Sequence, residues 1–194
     1  MKKAIIILSV CVALSLTFFS FYRSLHSEFT NWDDQENVID NQKIKSLSWK
    51  NIETIFTSFA VGNYIPVTTL SYAIEYRFFK LDPFFYHATN LFFHLFNIIF
   101  IFWFIYLLTD SIFIPCLVSV LFGIHPLHVE SVAWISERKD VLYAFFFHGF
   151  FNQLYILSKK KFSPSILYTV SNPIFDFITF QINGCFASTN SIID

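Results

Sequence analysis

Of the 194 residues, 55% are hydrophobic and 14% charged, against roughly a quarter charged in soluble domains, so the chain reads as a membrane protein. A formal net charge of -1 supplies no basic field for nucleic acid, and nucleic-acid binding is unsupported. Three cysteines, Cys11, Cys116 and Cys185, lie in apolar stretches without CxxC spacing, which predicts buried thiols and no disulfide framework.

The first element is an apolar run over residues 4–22, following Lys2 and Lys3 and close to the roughly 20 residues a helix needs to cross the hydrocarbon. It ends Phe18-Phe19-Ser20-Phe21-Tyr22-Arg23 without the small residues of a cleavage site, so it is expected to stay as span one. The loop over 23–83 is too long to be a bare connection. It opens with Phe29-Thr30-Asn31-Trp32-Asp33-Asp34-Gln35-Glu36-Asn37. After Ser48 as N-cap, Trp49, Ile52, Ile55, Phe56 and Phe59 recur at helical spacing, with Lys50, Asn51 and Glu53 opposite, which predicts an amphipathic helix on the membrane surface. Gly62 to Pro66 breaks the chain, and Pro66 suits the start of a second helix through Leu70, Ala73, Ile74 and Tyr76.

Residues 84–108 form span two. There His87, Asn90, His94 and Asn97 fall on one face, which is therefore turned from lipid, as interhelical glue or as a polar lining. Thr109-Asp110 makes a turn, 111–127 forms span three, the loop 125–140 follows, and 141–157 forms span four. From 162 to 194 the sequence diverges into a tail with a candidate fifth span, interrupted by Asn172, Pro173, Asp176 and Gln181. The predicted fold is all-α and polytopic, with four to five transmembrane helices and amphipathic helices in the external loops. Lys2, Lys3 and Lys159 to Lys161 place both ends of the four-span unit in the cytoplasm and the loops 23–83 and 125–140 together on the external face.

Ionisable groups crowded against a bilayer are costly and usually mark a substrate path or a catalytic centre. Asp33 and Asp34 are one such group: adjacent carboxylates in a partly desolvated pocket can serve as a general base near neutral pH, although by composition alone the default for a Trp-Asp-Asp triplet is an exposed acidic turn or an Asp N-cap. The other is the loop His125 to Asp140. With Pro126 as helix start, Glu130, Glu137 and Asp140 fall near one face beside Arg138 and Lys139, and an Arg at the lipid boundary suits a lipid phosphate. His125 and His128 with Glu130 invite a zinc reading, but the His-Glu-x-x-His pattern is absent and a metal is not expected.

Four ordered segments carry a resemblance: Phe29 to Asn37; Asn63-Tyr64-Ile65-Pro66-Val67-Thr68-Thr69-Leu70-Ser71-Tyr72; Tyr86-His87-Ala88-Thr89-Asn90-Leu91-Phe92-Phe93-His94-Leu95-Phe96-Asn97; and His125 to Leu142. Over residues 4–160 the chain resembles the membrane part of the transmembrane and tetratricopeptide-repeat-containing proteins, which are similar to the protein O-mannosyltransferases. The resemblance implies a partial glycosyltransferase C fold, with residues 1–161 as the N-terminal part of the membrane domain. It implies transfer, with inversion, from a polyprenyl- or dolichyl-phosphate sugar to a Ser or Thr of a protein acceptor, with no covalently bound cofactor. The acidic pair carries over to Asp33 and Asp34, with Asp33 the favoured base, and Arg138 would stabilise the leaving lipid phosphate, with Glu130, Glu137, Asp140, His125, His128, His87 and Asn90 around the substrate. Such proteins continue into more spans and repeats, whereas this chain ends at Asp194, the pattern of an N-terminal fragment. A bacterial cytoplasmic membrane is favoured over the endoplasmic reticulum. The alternative is a noncatalytic scaffold or transporter fragment; a transporter places its charges near mid-span.

Overall fold

The computed structural model describes residues 1–159, and every regular element in them is helical. The divergent tail 162–194 with its candidate fifth span, together with Cys185, Lys160 and Lys161, lies outside the described residues. The protein is an all-α polytopic membrane protein. Its helices are α1 (Lys2–Phe21), α2 (Trp49–Thr57), α3 (Pro66–Phe79), α4 (Pro83–Thr109), α5 (Phe113–Gly123), α6 (His128–Ala133) and α7 (Arg138–Lys159).

Three segments, Lys2–His26, Pro83–Thr109 and Ile135–Lys159, are long and apolar enough to cross a membrane. α4 starts where the Asp82 side chain accepts from Phe84 N at 3.1 Å and Pro83 takes the first turn, where its missing N–H costs nothing. It stops at Asp110, whose φ of 51° leaves the helical region.

Side-chain bonds set the helix directions. Asn97 Nδ2 donates to Val141 O, Asn152 Nδ2 to Phe100 O and Tyr155 OH to Leu107 O, each at 3.0 Å, so α4 and α7 run parallel. α1 runs opposite to α4, since Phe21 meets His94 and His26 meets Phe84, with ring centroids 5.5 and 6.1 Å apart. The end of α1 and the starts of α4 and α7 therefore share one end of the bundle, and both long loops gather there.

Two sequence expectations need correction. The run 111–127 does not give a helix of spanning length: α5 has 11 residues, about 16 Å at 1.5 Å per residue against a hydrocarbon core of about 30 Å. It ends at Gly123, where α5 presses on its neighbours: a Cβ there would lie 2.1 Å from Thr17 Oγ1 and 2.9 Å from Ile98 Cδ1. Nor does one helix run from Pro126 through Asp140. α6 begins at His128, and Trp134 is extended at φ -94°, ψ 125°. That break takes Glu130 off the face expected to hold Glu137 and Asp140.

The 23–83 loop folds over its end of the bundle around a core of Val38, Ile44, Ile55, Tyr72, Ala73, Tyr86 and Ile135. Within it Ser48 caps α2, accepting from Asn51 N at 3.4 Å, and Ile55 is buried while Trp49 and Phe56 stay exposed. Asn51 is not on the outer face: its amide donates to Lys43 O and Ser46 O, both at 2.5 Å.

Candidate active site

The acidic pair after α1 divides sharply. Asp33 is exposed and its carboxylate has no hydrogen bond or ion pair among the described residues. Asp34 is fully buried and saturated. Its Oδ2 accepts from Thr30 N at 2.9 Å and Thr30 Oγ1 at 3.0 Å, and its Oδ1 from Ser136 N at 2.9 Å and Ser136 Oγ at 2.5 Å. Two adjacent acids sharing one pocket are therefore not what the fold contains. One carboxylate pins two loops together; the other stands free at the surface.

The segment 134–138 is held at four positions. Asn90 Nδ2 donates to Trp134 O at 3.0 Å, Tyr72 OH donates to Ile135 O at 2.7 Å, and Asp34 holds Ser136. Side chains of α4 and α3 thus hold the carbonyls that follow α6, which is the physical reason the chain leaves helix at Trp134. Burial raises the Tyr72 phenol above its usual range, so it remains a donor.

Arg138 is the fourth anchor and corrects another expectation. Its side chain is wholly buried, donating from Nε to Asn90 Oδ1 at 2.7 Å, from Nη1 to Ser71 Oγ at 3.0 Å and to Glu75 Oε2, and from Nη2 to Tyr86 O at 2.9 Å. The guanidinium also lies 4.5 Å from the Tyr72 ring centroid. Wholly buried and with four of its five N–H donors bonded, this guanidinium is not open to a lipid phosphate; in this fold Arg138 positions the loop. The neighbouring cation is more accessible. Lys139 Nζ bonds both Glu137 oxygens at 2.7 Å, with the two side chains 27% and 15% exposed.

The remaining site residues scatter around this knot. His87 and Asn90 are buried at the start of α4, and Asn90 is spent on Trp134 and Arg138. His125 and Glu130 are exposed, and Asp140 accepts from Ser131 Oγ at 2.9 Å. His128 is half-buried against Phe122, ring centroids 4.3 Å apart, and its imidazole pKa is lowered by burial and by His125 beside it. The two histidine rings are 6.1 Å apart. Among the described residues no group of three His, Cys, Asp or Glu side chains could hold a metal ion.

A cleft of about 370 Å³ opens at the knot, lined by Thr30, Asn31, Trp32 and Trp134. Its two indoles, one from each long loop, stand 6.0 Å apart at 54°. Sequence reasoning missed most of the scaffold: Thr30, Ser71, Tyr72, Glu75 and Ser136. A signal existed for one part of it, because Thr68, Tyr72 and Glu75 are spaced four and three apart on one face of α3, and Glu75 is the sole acid in that helix. Nothing local marks Ser136, which acts across 102 positions.

The fold and this site define a helical membrane protein whose two long loops are fastened to each other through Asp34 and Ser136, and the resemblance to the O-mannosyltransferase-like proteins is borne out by comparison. The chain is 26% identical over 141 residues to protein O-mannosyl-transferase TMTC3 of Homo sapiens, covering 66% of this chain and 14% of that protein. It is 28% identical over 133 residues to protein O-mannosyl-transferase TMTC1 of Mus musculus, covering 62% and 14%. It is 25% identical over 152 residues to protein O-mannosyl-transferase F38B6.6 of Caenorhabditis elegans, covering 71% and 21%. The chain thus spans between about a seventh and a fifth of the length of these relatives. No family model and no solved structure matches it. These relatives are animal proteins, so the bacterial membrane expected from the sequence gains no support from them, whereas a multi-pass membrane protein does.

Proposed function

We propose that this chain forms the loop-bearing part of a membrane glycosyltransferase, which moves a sugar from a polyprenyl- or dolichyl-phosphate to a Ser or Thr hydroxyl of a protein at the external face. The observation that carries the reading is the division of labour in the acidic pair. Asp34 is spent on Thr30 and Ser136, which leaves Asp33 free, exposed and fixed in place by its neighbour. A general base needs that combination of access and held position.

In the proposed step Asp33 takes the hydroxyl proton as the acceptor oxygen bonds to the anomeric carbon. The bond from that carbon to the phosphate oxygen breaks on the opposite side, the configuration inverts, and the lipid phosphate leaves with the electron pair. Lys139, partly exposed beside Glu137, is the cation of this loop open to that phosphate. The relatives, named as protein O-mannosyl-transferases, support a hexose and a protein acceptor.

Membranes carrying the chain, a labelled dolichyl-phosphate mannose and a Ser/Thr-rich peptide test this. Asp33→Asn should lower transfer by about 10²-fold to 10⁴-fold, the usual contribution of a general base, with insertion and folding unchanged. Transfer within a few-fold of the parent would exclude Asp33 as the base, and a parent without transfer would overturn the proposal.

A further inference from the structure

Trp32 and Trp134 lie on different loops, yet the fold brings their rings to 6.0 Å and leaves Trp32 73% exposed. Large exposed aromatics beside a cleft mark contact surfaces, and Trp is prominent among residues that carry binding energy. The walls are anchored. Asp34 pins Thr30 on the Trp32 side, and Asn90 and Tyr72 pin the carbonyls of Trp134 and Ile135 on the other. A second observation is independent of shape: the Trp134 Nε1–H is buried and has no acceptor among the described residues, and buried donors nearly always have one.

We infer that the cleft lined by Thr30, Asn31, Trp32 and Trp134 is the seat of a hexopyranose, and this assignment rests on the glycosyl-transfer reading above. A pyranose offers an apolar C–H face to an indole and a rim of hydroxyls to donors and acceptors. Here the exposed indole of Trp32 and the exposed Asn31 amide meet both needs, with the unpaired Trp134 N–H buried in the cleft's wall residue. Four residues and about 370 Å³ suit one compact ring; an extended peptide needs a longer groove. Trp32 adjoins Asp33, the proposed base, in sequence, and both side chains are exposed.

Tryptophan fluorescence of the full chain in phosphatidylcholine vesicles tests the seat, after Trp49→Phe and Trp103→Phe remove the two tryptophans outside the cleft. Dolichyl-phosphate mannose should give a saturable change that dolichyl phosphate alone does not, and Trp32→Ala should abolish it. In transfer assays Trp32→Ala should raise KM for the mannosyl lipid about tenfold, equivalent to about 1.4 kcal/mol, with kcat within about twofold. An equal response to dolichyl phosphate, no response at all, or quenching by shallow-brominated phosphatidylcholine with none by the mannosyl lipid would overturn the seat, the last outcome marking Trp32 as a membrane anchor. The two proposals fail separately. A sugar-dependent response in a chain without transfer refutes the transferase reading and upholds the seat; Asp33-dependent transfer without that response does the reverse.

Discussion

Asp34 and Ser136 are 102 residues apart in the chain, and one carboxylate oxygen of Asp34 accepts both the backbone N–H and the hydroxyl of Ser136, at 2.9 and 2.5 Å. This contact, made wholly out of water, fastens the loop after α1 to the segment before α7. It also explains why neighbouring aspartates have different fates.

Replacing Asp34 by Ala strands the donors of Thr30 and Ser136, and each buried unsatisfied donor costs about 1–3 kcal/mol. Asp34→Ala is therefore expected to destabilise by at least about 2 kcal/mol, whereas Asp33→Ala, at an exposed position, should stay within about 0.5 kcal/mol. Thermal unfolding of the detergent-solubilised variants compares them. If Asp33→Ala proved the more damaging, the assignment of structural and free carboxylate would be reversed.

The Arg138–Glu75 pair makes a different test of the same knot. Removing one partner of a buried pair leaves an uncompensated charge, at about 3–5 kcal/mol, while replacing both by apolar residues is often neutral. Glu75→Leu should unfold or severely weaken the chain, and Arg138→Met with Glu75→Leu should recover much of the loss. Arg138 also serves Asn90, Ser71 and Tyr86, so full recovery is not expected. A double variant no better than the single would show that these other bonds, and not the ion pair, dominate.

The spans were legible because their signal is local: three apolar stretches became helices long enough to cross, and the Ser48 cap and Pro66 start fall where the residue types put them. The polar face of His87, Asn90, His94 and Asn97 was legible too, since 3.6-residue periodicity places all four together, and all four are buried. What could not be read was tertiary. The helix break at Trp134 depends on Asn90 and Tyr72 capturing two carbonyls, and the close approach of α5 at Gly123 depends on Thr17 and Ile98 from distant helices. Arg138 was misread for the same reason: by type and place it suits a phosphate, and only the fold shows it wholly buried, with most of its donors taken.

Acidification should act through His128. Burial and the adjacent His125 lower its pKa below the ordinary 6.5, so from that value down to the folded-state pKa the unfolded chain binds more protons than the folded one. Stability contributed by neutral His128 is thus present above about pH 6.5 and is lost as pH falls through that window. Imidazole proton shifts followed by NMR should place its midpoint below that of an unperturbed histidine, and His128→Gln should flatten the pH dependence of unfolding below pH 6.5. A midpoint at or above 6.5 would mean that the ring is better hydrated than its packing on Phe122 implies.

The close approach of α5 at Gly123 gives a last expectation. A Cβ on Gly123 would fall 2.1 Å from Thr17 Oγ1 and 2.9 Å from Ile98 Cδ1, so Gly123→Ala must push α5 away from α1 and α4. Overpacking of this kind typically costs about 1–3 kcal/mol. The damage should extend beyond packing, since Gly123 O lies 3.1 Å from His94 Nε2 and the chain from Gly123 leads directly into the His125–His128 turn. Thr17 Oγ1 bonds only back to Ala13 O at 3.0 Å, so Thr17→Ala alone should cost little. It would leave Thr17 Cβ, 3.4 Å away, as the nearest atom on that side, and the Ile98 methyl is the mobile end of a side chain. Thr17→Ala with Gly123→Ala should therefore regain more than half the stability lost by Gly123→Ala. If the double variant unfolds no later than Gly123→Ala alone, α5 does not meet α1 through these two residues.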